Sequence, residues 1–278
     1  MTTVQAALAE AARRLAAAGV EDAVREAGWL LAHAAGTSVG MLKAMPQREL
    51  PPEVLAAFWP LVERRAAREP VQYILGTQEF CGLTFKVTPD VLIPRPETEV
   101  LVEQAVARLA GPVRVADIGT GSGAIAVAVA KRLPEARVVA VDISPAALAV
   151  ARENARAHGV AERIDFRLGD LLQPLGTEQF DAILSNPPYV AEQELETLMP
   201  EVRLYEPKVA LTPGADGLHF YRRLAREAPA RLKPGGILAV EVGIGQAPAV
   251  ATLLAEAGLK VAMFRDAQGV ERVVMGTG

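Results

Sequence analysis

The chain has 278 residues, 51% of them hydrophobic, a formal net charge of −4 and a single cysteine, Cys81. That hydrophobic content excludes a disordered protein; one thiol excludes an internal disulfide, and with no signal-like segment at the start the expected setting is cytoplasmic. No apolar run approaches the ~18 residues of a membrane span, and neither part is basic (9 acids against 8 bases over residues 1–85, 24 against 21 over 86–278), so stable binding to nucleic acid is not expected.

Residues 3 to 68 are alanine-rich with a helical period. Val4, Leu8, Ala11 and Leu15 mark one face of a helix over 4–18. Asp22 is placed to cap a second helix, running to Ala35. Residues 38–45 read as a short extra turn. Pro51-Pro52 opens a third long helix, 53–68, with Leu55, Phe58, Trp59 and Val62 on its apolar side. Glu69-Pro70 then ends the bundle. This part holds no glycine loop, metal spacing or nucleophile. The expectation is a small all-α domain over 1–75 that docks a protein substrate. Residues 78–87 alternate around Cys81-Gly82 as a hairpin would, which gives a linker over 76–90 ahead of a catalytic domain over 91–278.

From residue 91 the pattern changes. Pro94-Arg95-Pro96-Glu97-Thr98 reads as a stiff segment at the substrate entrance, with Thr98 capping a helix to Leu109. Residues 113–117 form a short strand, Ile118 to Gly123 a glycine turn, and 124–133 a helix. Strand, glycine turn and helix are the context that a ligand-binding loop needs, because glycines allow positive φ and close backbone approach. The alternate spacing of these glycines is not the dinucleotide fingerprint. A second strand, 137–141, ends in Asp142, placed to accept from both hydroxyls of a ribose. A third, 163–168, ends in Gly169-Asp170-Leu171, where an acid and an apolar side chain suit the amine and the face of an adenine. A fourth, 180–184, ends in Asn186-Pro187-Pro188-Tyr189. Beyond it come a helix over 217–232, a turn at Pro234-Gly-Gly236, a strand over 237–242, a helix over 249–257, and strands over 261–265 and 272–275. Seven strands alternating with helices give a doubly wound α/β sheet, in which ligands bind beyond the carboxyl ends of the strands. Each acid alone also suits a helix cap; the informative pattern is Asp117, Asp142, Asp170 and Asn186 on four successive strand ends.

The Asn186 run is a chemical device in its own right. A residue before proline is pushed into extended backbone, and Pro187 and Pro188 fix two successive φ angles. The result is a rigid shelf carrying one amide and one aromatic ring. The Asn186 side-chain oxygen and the Pro187 carbonyl can each accept a hydrogen from a substrate NH2, while Tyr189 packs on a planar group. Such a shelf suits a nitrogen nucleophile that is oriented rather than deprotonated. Cys81 reads as a small buried residue, and His33, His158 and His219 are scattered without metal-ligand spacing.

Together, Asp117-x-Gly-Thr-Gly-Ser-Gly, Asp142, Asp170 and Asn186-Pro-Pro-Tyr resemble S-adenosylmethionine-dependent methyltransferases that modify exocyclic or amide nitrogens. Further segments make the chain similar to the HemK/PrmC family, the N5-glutamine methyltransferases of peptide chain release factors. These are Glu69-Pro-Val-Gln-Tyr-Ile-Leu-Gly76, Val91-Leu-Ile-Pro-Arg-Pro-Glu-Thr-Glu99, Tyr205-Glu-Pro207, Ala210-Leu-x-x-Gly-x-Asp-Gly217 and Glu241-x-Gly-x-x-Gln246. The likeness covers nearly the whole chain, although residues 1–68 match only as a helical region. It implies a seven-stranded Rossmann-like class I methyltransferase domain with an antiparallel last strand, preceded by the helical bundle. It implies S-adenosyl-L-methionine as cofactor, no metal, and a release factor as partner, methylated on the glutamine of its Gly-Gly-Gln motif. Asp117 with Gly119, Thr120, Gly121, Ser122 and Gly123 is then expected to hold the methionine part, Asp142 the ribose, and Asp170 with Leu171 the adenine. Asn186, Pro187 and Tyr189 are the expected catalytic residues, with Asn186 also bordering the cofactor, and Pro188, Arg95, Pro96 and Glu97 line the substrate path.

Three other readings stay open at this point. A nucleic-acid amino methyltransferase has the same shelf but needs to extrude a base and to carry a basic surface. A glutamine methyltransferase of a ribosomal protein has the same chemistry. A non-enzymatic module could bind the cofactor without any use for the shelf.

Overall fold

The computed structural model describes residues 2–278, which divide into two bodies: 2–76 together with Met199–Tyr205, and Thr77–Leu198 together with Glu206–Gly278. In the first body, helices α1 (Val4–Ala17), α2 (Ala23–Ala34), α3 (Val39–Ala44) and α4 (Pro52–Ala66) follow the apolar period. Thr3 and Ser38 cap α1 and α3 by accepting from the Ala6 and Met41 amides. Asp22 precedes α2 but makes no capping bond; its carboxylate pairs with Arg25 instead. Ala7, Ala11 and Ala27 let the helices approach closely, and Leu15, Leu30, Leu31, Phe58 and Val62 fill the space between. Glu69-Pro70 ends α4 but not the bundle. A further helix, α5 (Val71–Leu75), buries Val71 and Ile74 in the same core, and Gly76 closes it at φ 76°.

The segment Met199–Tyr205 belongs to this body through charge. Its Glu201 accepts from Arg65 Nη2 at 2.9 Å and from Arg68 Nε and Nη2 at 2.8 and 2.7 Å. Arg65 Nε also reaches Glu26. Arg65, Glu26 and Glu201 are all buried, and charges taken from water persist only when paired in this way. Arg65, one of three arginines over 64–68 that sequence alone would leave to solvent, is therefore an interior residue.

The second body comprises β1 (Thr77–Phe80), β2 (Leu83–Lys86), α6 (Thr98–Val106), β3 (Arg114–Ile118), α7 (Ala124–Arg132), β4 (Arg137–Asp142), α8 (Pro145–Ala157), β5 (Ile164–Leu168) and β6 (Phe180–Ser185). After α9 (Pro200–Tyr205), which lies in the first body, come α10 (Lys208–Leu211), α11 (His219–Glu227), β7 (Leu232–Glu241), α12 (Ala247–Glu256), β8 (Lys260–Arg265) and β9 (Glu271–Thr277). Seven strands form one sheet in the order β5-β4-β3-β6-β7-β9-β8, and β9 runs antiparallel to both its neighbours. The chain order reverses between β3 and β6, which are adjacent and parallel; a doubly wound sheet opens its ligand crevice at such a reversal. Alternate residues serve opposite layers: Val115 joins the core under α6 and α7, and Ala116 the core under α11 and α12.

Three sequence expectations change. The hairpin is not a linker: Phe80 and Phe85 are fully buried in the sheet's core, and Asn154 of α8 accepts from the Lys86 amide and donates to the Lys86 and Ser122 carbonyls. Pro234-Gly-Gly236 lies within β7 at a register shift against β6; a Cβ on Gly236 would stand 3.0 Å from the Phe180 carbonyl. The helix expected over 217–232 is the shorter α11 followed by a 3-10 turn at Pro229–Arg231, because Pro229 has no amide to continue the helix. Among the described residues, no helix is long and apolar enough to cross a membrane and no acid–histidine–cysteine cluster could hold a metal.

Candidate functional site

Beyond the carboxyl ends of β3, β4, β5 and β6 lies an open cleft, at the place where a doubly wound sheet binds its ligands. Of the residues singled out in the sequence it gathers Gly119, Gly121, Asp142, Asp170, Leu171, Asn186, Pro187 and Pro188. Gly119 and Gly121 sit at φ 74° and 54°, and a Cβ on either would meet nothing within 4 Å. The turn therefore presents bare backbone to open space, a conformation that glycine adopts without strain.

Asp142 clamps that turn. Its Oδ2 accepts from the Gly121 amide at 2.8 Å and its Oδ1 from the Ser144 amide at 2.9 Å. Burial raises its pKa, and these amides oppose the rise. The Ile143 amide acts on it as well, and a carboxylate with about four acceptor sites keeps capacity for a ligand hydroxyl. Asp170 lines the cleft while holding the Arg223 fork at 3.1 and 2.7 Å. Leu171 follows at φ 46°, a left-handed conformation that side chains rarely adopt and that accompanies functional sites. Ile143, Val209 and Phe220 complete an apolar wall that the strand-end rule did not single out. Ile143 directly follows the acid of β4, so its position carried the signal; Val209 and Phe220 arrive from α10 and α11, and nothing local marks them.

Asp117, Thr120, Ser122 and Gly123 stand behind the wall rather than in it. Asp117 is fully buried, and its Oδ2 accepts from the Thr120 hydroxyl at 2.6 Å and the Ala126 amide at 3.0 Å. Burial pushes its pKa up to about 7, against the pull of those two donors. Its Oδ1 has no partner among the described residues. Asp117 thus ties the turn to the first turn of α7. The Ser122 carbonyl receives Asn154, and Gly123 sits where a Cβ would meet Ala151 at 3.0 Å.

The proline shelf closes the other side. The Ser185 hydroxyl donates to the Ile118 carbonyl at 2.8 Å, tying the ends of β6 and β3 together. Pro187 is buried and Asn186 half-buried. Asn186 Nδ2 donates to Thr98 Oγ1 at 3.1 Å, and that hydroxyl donates to buried Glu241. Thr98 is the first residue of α6 and makes no cap. Burial raises the Glu241 pKa to about 7, opposed by the bond from Thr98.

Tyr189 does not line the cleft. Its ring packs in the core beside Gly243, where a Cβ would lie 3.0 Å from Cδ2, and burial raises its pKa. Its carbonyl accepts from Gln246 Nε2 at 3.0 Å, and a Cβ on Gly217 would come within 2.5 Å of that oxygen. Gly217, Gly243 and Gln246 therefore seat the shelf. Arg95, Pro96 and Glu97 are also outside the cleft wall: Arg95 pairs with buried Glu206, Pro96 is exposed, and Glu97 lies 3.9 Å from Arg272. The thiol of Cys81 is pushed up to about 11 by burial, which disfavours the thiolate.

A family model described as the PrmC N-terminal domain matches residues 6–76, and one described as the methyltransferase small domain matches 96–216. Curated relatives include the release factor glutamine methyltransferase of Geobacter sulfurreducens, 52% identical over 94% of this chain and 92% of that protein. Its counterpart in Cereibacter sphaeroides is 50% identical over 96% of each. Among solved structures, a methyltransferase from Pyrococcus furiosus is 20% identical, covers 70% of this chain and 89% of that one, and superposes with a TM-score of 0.53, a likeness of fold.

Proposed function

The chain belongs to the family of release factor glutamine methyltransferases, and on that premise we propose that it transfers a methyl group from S-adenosyl-L-methionine to the side-chain amide nitrogen of a glutamine in a peptide chain release factor. The observation that carries this reading is the shared cleft: Asn186 and Pro187 line the same space as the bare glycine turn and Asp142. The lining fits the cofactor. Gly119 and Gly121 offer open backbone, Asp142 offers two carboxylate oxygens at a ribose position, and Leu171, Ile143 and Phe220 offer apolar surface for a base. When bound, the cofactor supplies an electrophilic methyl already activated by a sulfonium.

The residues of the chain then have one task, which is to present a poor nucleophile. An amide nitrogen shares its lone pair with the carbonyl. Asn186 Oδ1 and the Pro187 carbonyl each take one hydrogen of the substrate NH2, turning the nitrogen toward the methyl donor. Positioning of this kind contributes up to about 7–11 kcal/mol in favourable intramolecular cases. Acceptors fixed in advance also stabilise the positive charge that develops on nitrogen. No side chain in the wall is a base strong enough to deprotonate an amide beforehand, and none is needed: the nitrogen becomes strongly acidic as it is methylated and gives its surplus proton to solvent. Asp117, Thr120, Ser122 and Gly123 hold the turn from behind, and Tyr189 anchors the shelf from its buried side. In this reading the helical body is the docking module for the release factor, and a release factor as substrate fits a cytoplasmic setting.

Transfer of labelled methyl to a release factor, to a ribosomal protein and to DNA, measured side by side, tests the proposal. Label on the release factor alone, lost when its Gly-Gly-Gln glutamine is replaced by alanine, is the expected result. Label on DNA or on the ribosomal protein instead would overturn it.

A further inference from the structure

We propose that Thr98 and Glu241 are positioning residues that fix which way the Asn186 amide points, so that its oxygen, and not its nitrogen, faces the substrate. This rests on the reading that Asn186 accepts a hydrogen from a substrate amide. Asparagine offers two nearly isosteric ends, one a donor and one an acceptor. A half-buried amide free to rotate by 180° would present NH2 to the substrate NH2 in one orientation, and donor against donor repels. Something must choose the end.

The choice is made by a chain of three groups from three distant parts of the sequence. Glu241 ends β7, is 1% exposed, and accepts a hydrogen bond from the Thr98 hydroxyl. Thr98, 4% exposed at the start of α6, then has only lone pairs left for Asn186, and Nδ2 donates to them at 3.1 Å. The amide nitrogen is thereby turned to the interior and Oδ1 away from it. With a hydrogen at that point instead of a lone pair, Oδ1 would turn inward.

Glu241 is otherwise hard to justify. A buried carboxylate is costly unless paired, yet among the described residues no arginine or lysine closes an ion pair on it; Arg95 and Arg272 act only through longer-range attraction. Tyr221 donates to the Glu241 main-chain carbonyl, not to its side chain. Strand capping by the side chain is not seen either. A buried acid held at such a cost behind the shelf is a functional candidate, and the one side-chain hydrogen bond it makes among the described residues leads to Asn186 through Thr98.

Thr98→Val removes the hydroxyl at nearly constant volume. The expected result is a drop in kcat of at least tenfold, with the Kd for S-adenosylhomocysteine by calorimetry within twofold of wild type. Thr98→Ser, which restores the hydroxyl, should recover most of the turnover. Nitrogen-15 NMR of the Asn186 side-chain NH2 gives a reading independent of substrate: slow exchange in the wild-type chain and in Thr98→Ser, fast exchange in Thr98→Val and in Glu241→Leu. Full turnover in Thr98→Val, or an Asn186 NH2 equally protected in that variant, overturns the inference. If the wild-type enzyme transfers no methyl to a release factor, the functional reading fails on its own account, and the NMR comparison still decides whether the relay exists.

Discussion

Replacing Asn186 by alanine separates the two halves of the site. The side chain is half-buried, and the bond it loses is one neutral contact to Thr98 Oγ1, worth about 1 kcal/mol of stability. Thr98 keeps its bond to Glu241, so no new buried charge is created and the fold survives. The cofactor's proposed contacts, the glycine turn, Asp142, Asp170 and Leu171, are untouched. What is lost is one of the two acceptors for the substrate NH2. Removing a single positioned group of that kind costs about 10²–10³ in rate, or roughly 2.7–4 kcal/mol. The expectation is therefore a kcat lower by at least ~10², with the Kd for S-adenosylmethionine within threefold. Calorimetry with the cofactor and single-turnover methyl transfer at saturating cofactor supply the two numbers. A loss of affinity in step with turnover would place Asn186 in the cofactor's binding set and refute the assigned role.

Asp142→Ala should do the reverse: two charge-assisted contacts at ~1.5–3 kcal/mol each predict a Kd weaker by ~10² or more with kcat at saturation within a few-fold, and an unchanged Kd would sink the ribose assignment. Asp117 gives a pH prediction. Its folded pKa, raised by burial to about 7 from 3.8, favours the neutral form, so the stability it contributes is full below the unfolded pKa near 4 and is lost as pH rises through about 7. Relative to wild type, Asp117→Asn should gain about 2–3 kcal/mol between pH 5 and pH 8 in urea unfolding; a pH-independent difference refutes this. Arg65→Met leaves Glu26 buried without its cation and should cost about 3–5 kcal/mol, most of it recovered in the double variant with Glu26→Leu; a single variant within 1 kcal/mol of wild type would show the pair to be dispensable.

The sheet was legible because each strand is a short apolar run that stops at a polar or glycine residue, and the strand ends supplied the cleft's polar groups directly. Asp142, Asp170 and Asn186 needed no more than that. Asp117 obeys the same rule yet lies deeper: it pairs with Ala140, two residues before Asp142 on the same face of the sheet, so the glycine turn that follows, not the acid, supplies the wall. Arg95, Pro96 and Glu97 were read from adjacency to a motif; a long-range ion pair to Glu206 redirects Arg95. The hairpin looked like a connector because four-residue strands carry too little pattern to reveal that Phe80 and Phe85 plug a distant core. Thr98 and Glu241, 143 positions apart, were each seen alone, one as a cap and the other as part of a motif, and only their meeting gives them a joint meaning.

The excursion of Met199–Tyr205 into the first body means that the backbone passes between the two bodies three times, at 76/77, 198/199 and 205/206. An expression clone begun at residue 77 would carry α9 without Arg65 and Arg68, leaving Glu201 stripped of its counter-ions a short way along the chain from Tyr189. The two folding units are thus inseparable by a single cleavage, and trimming the amino-terminal helices disturbs the segment that leaves the catalytic corner.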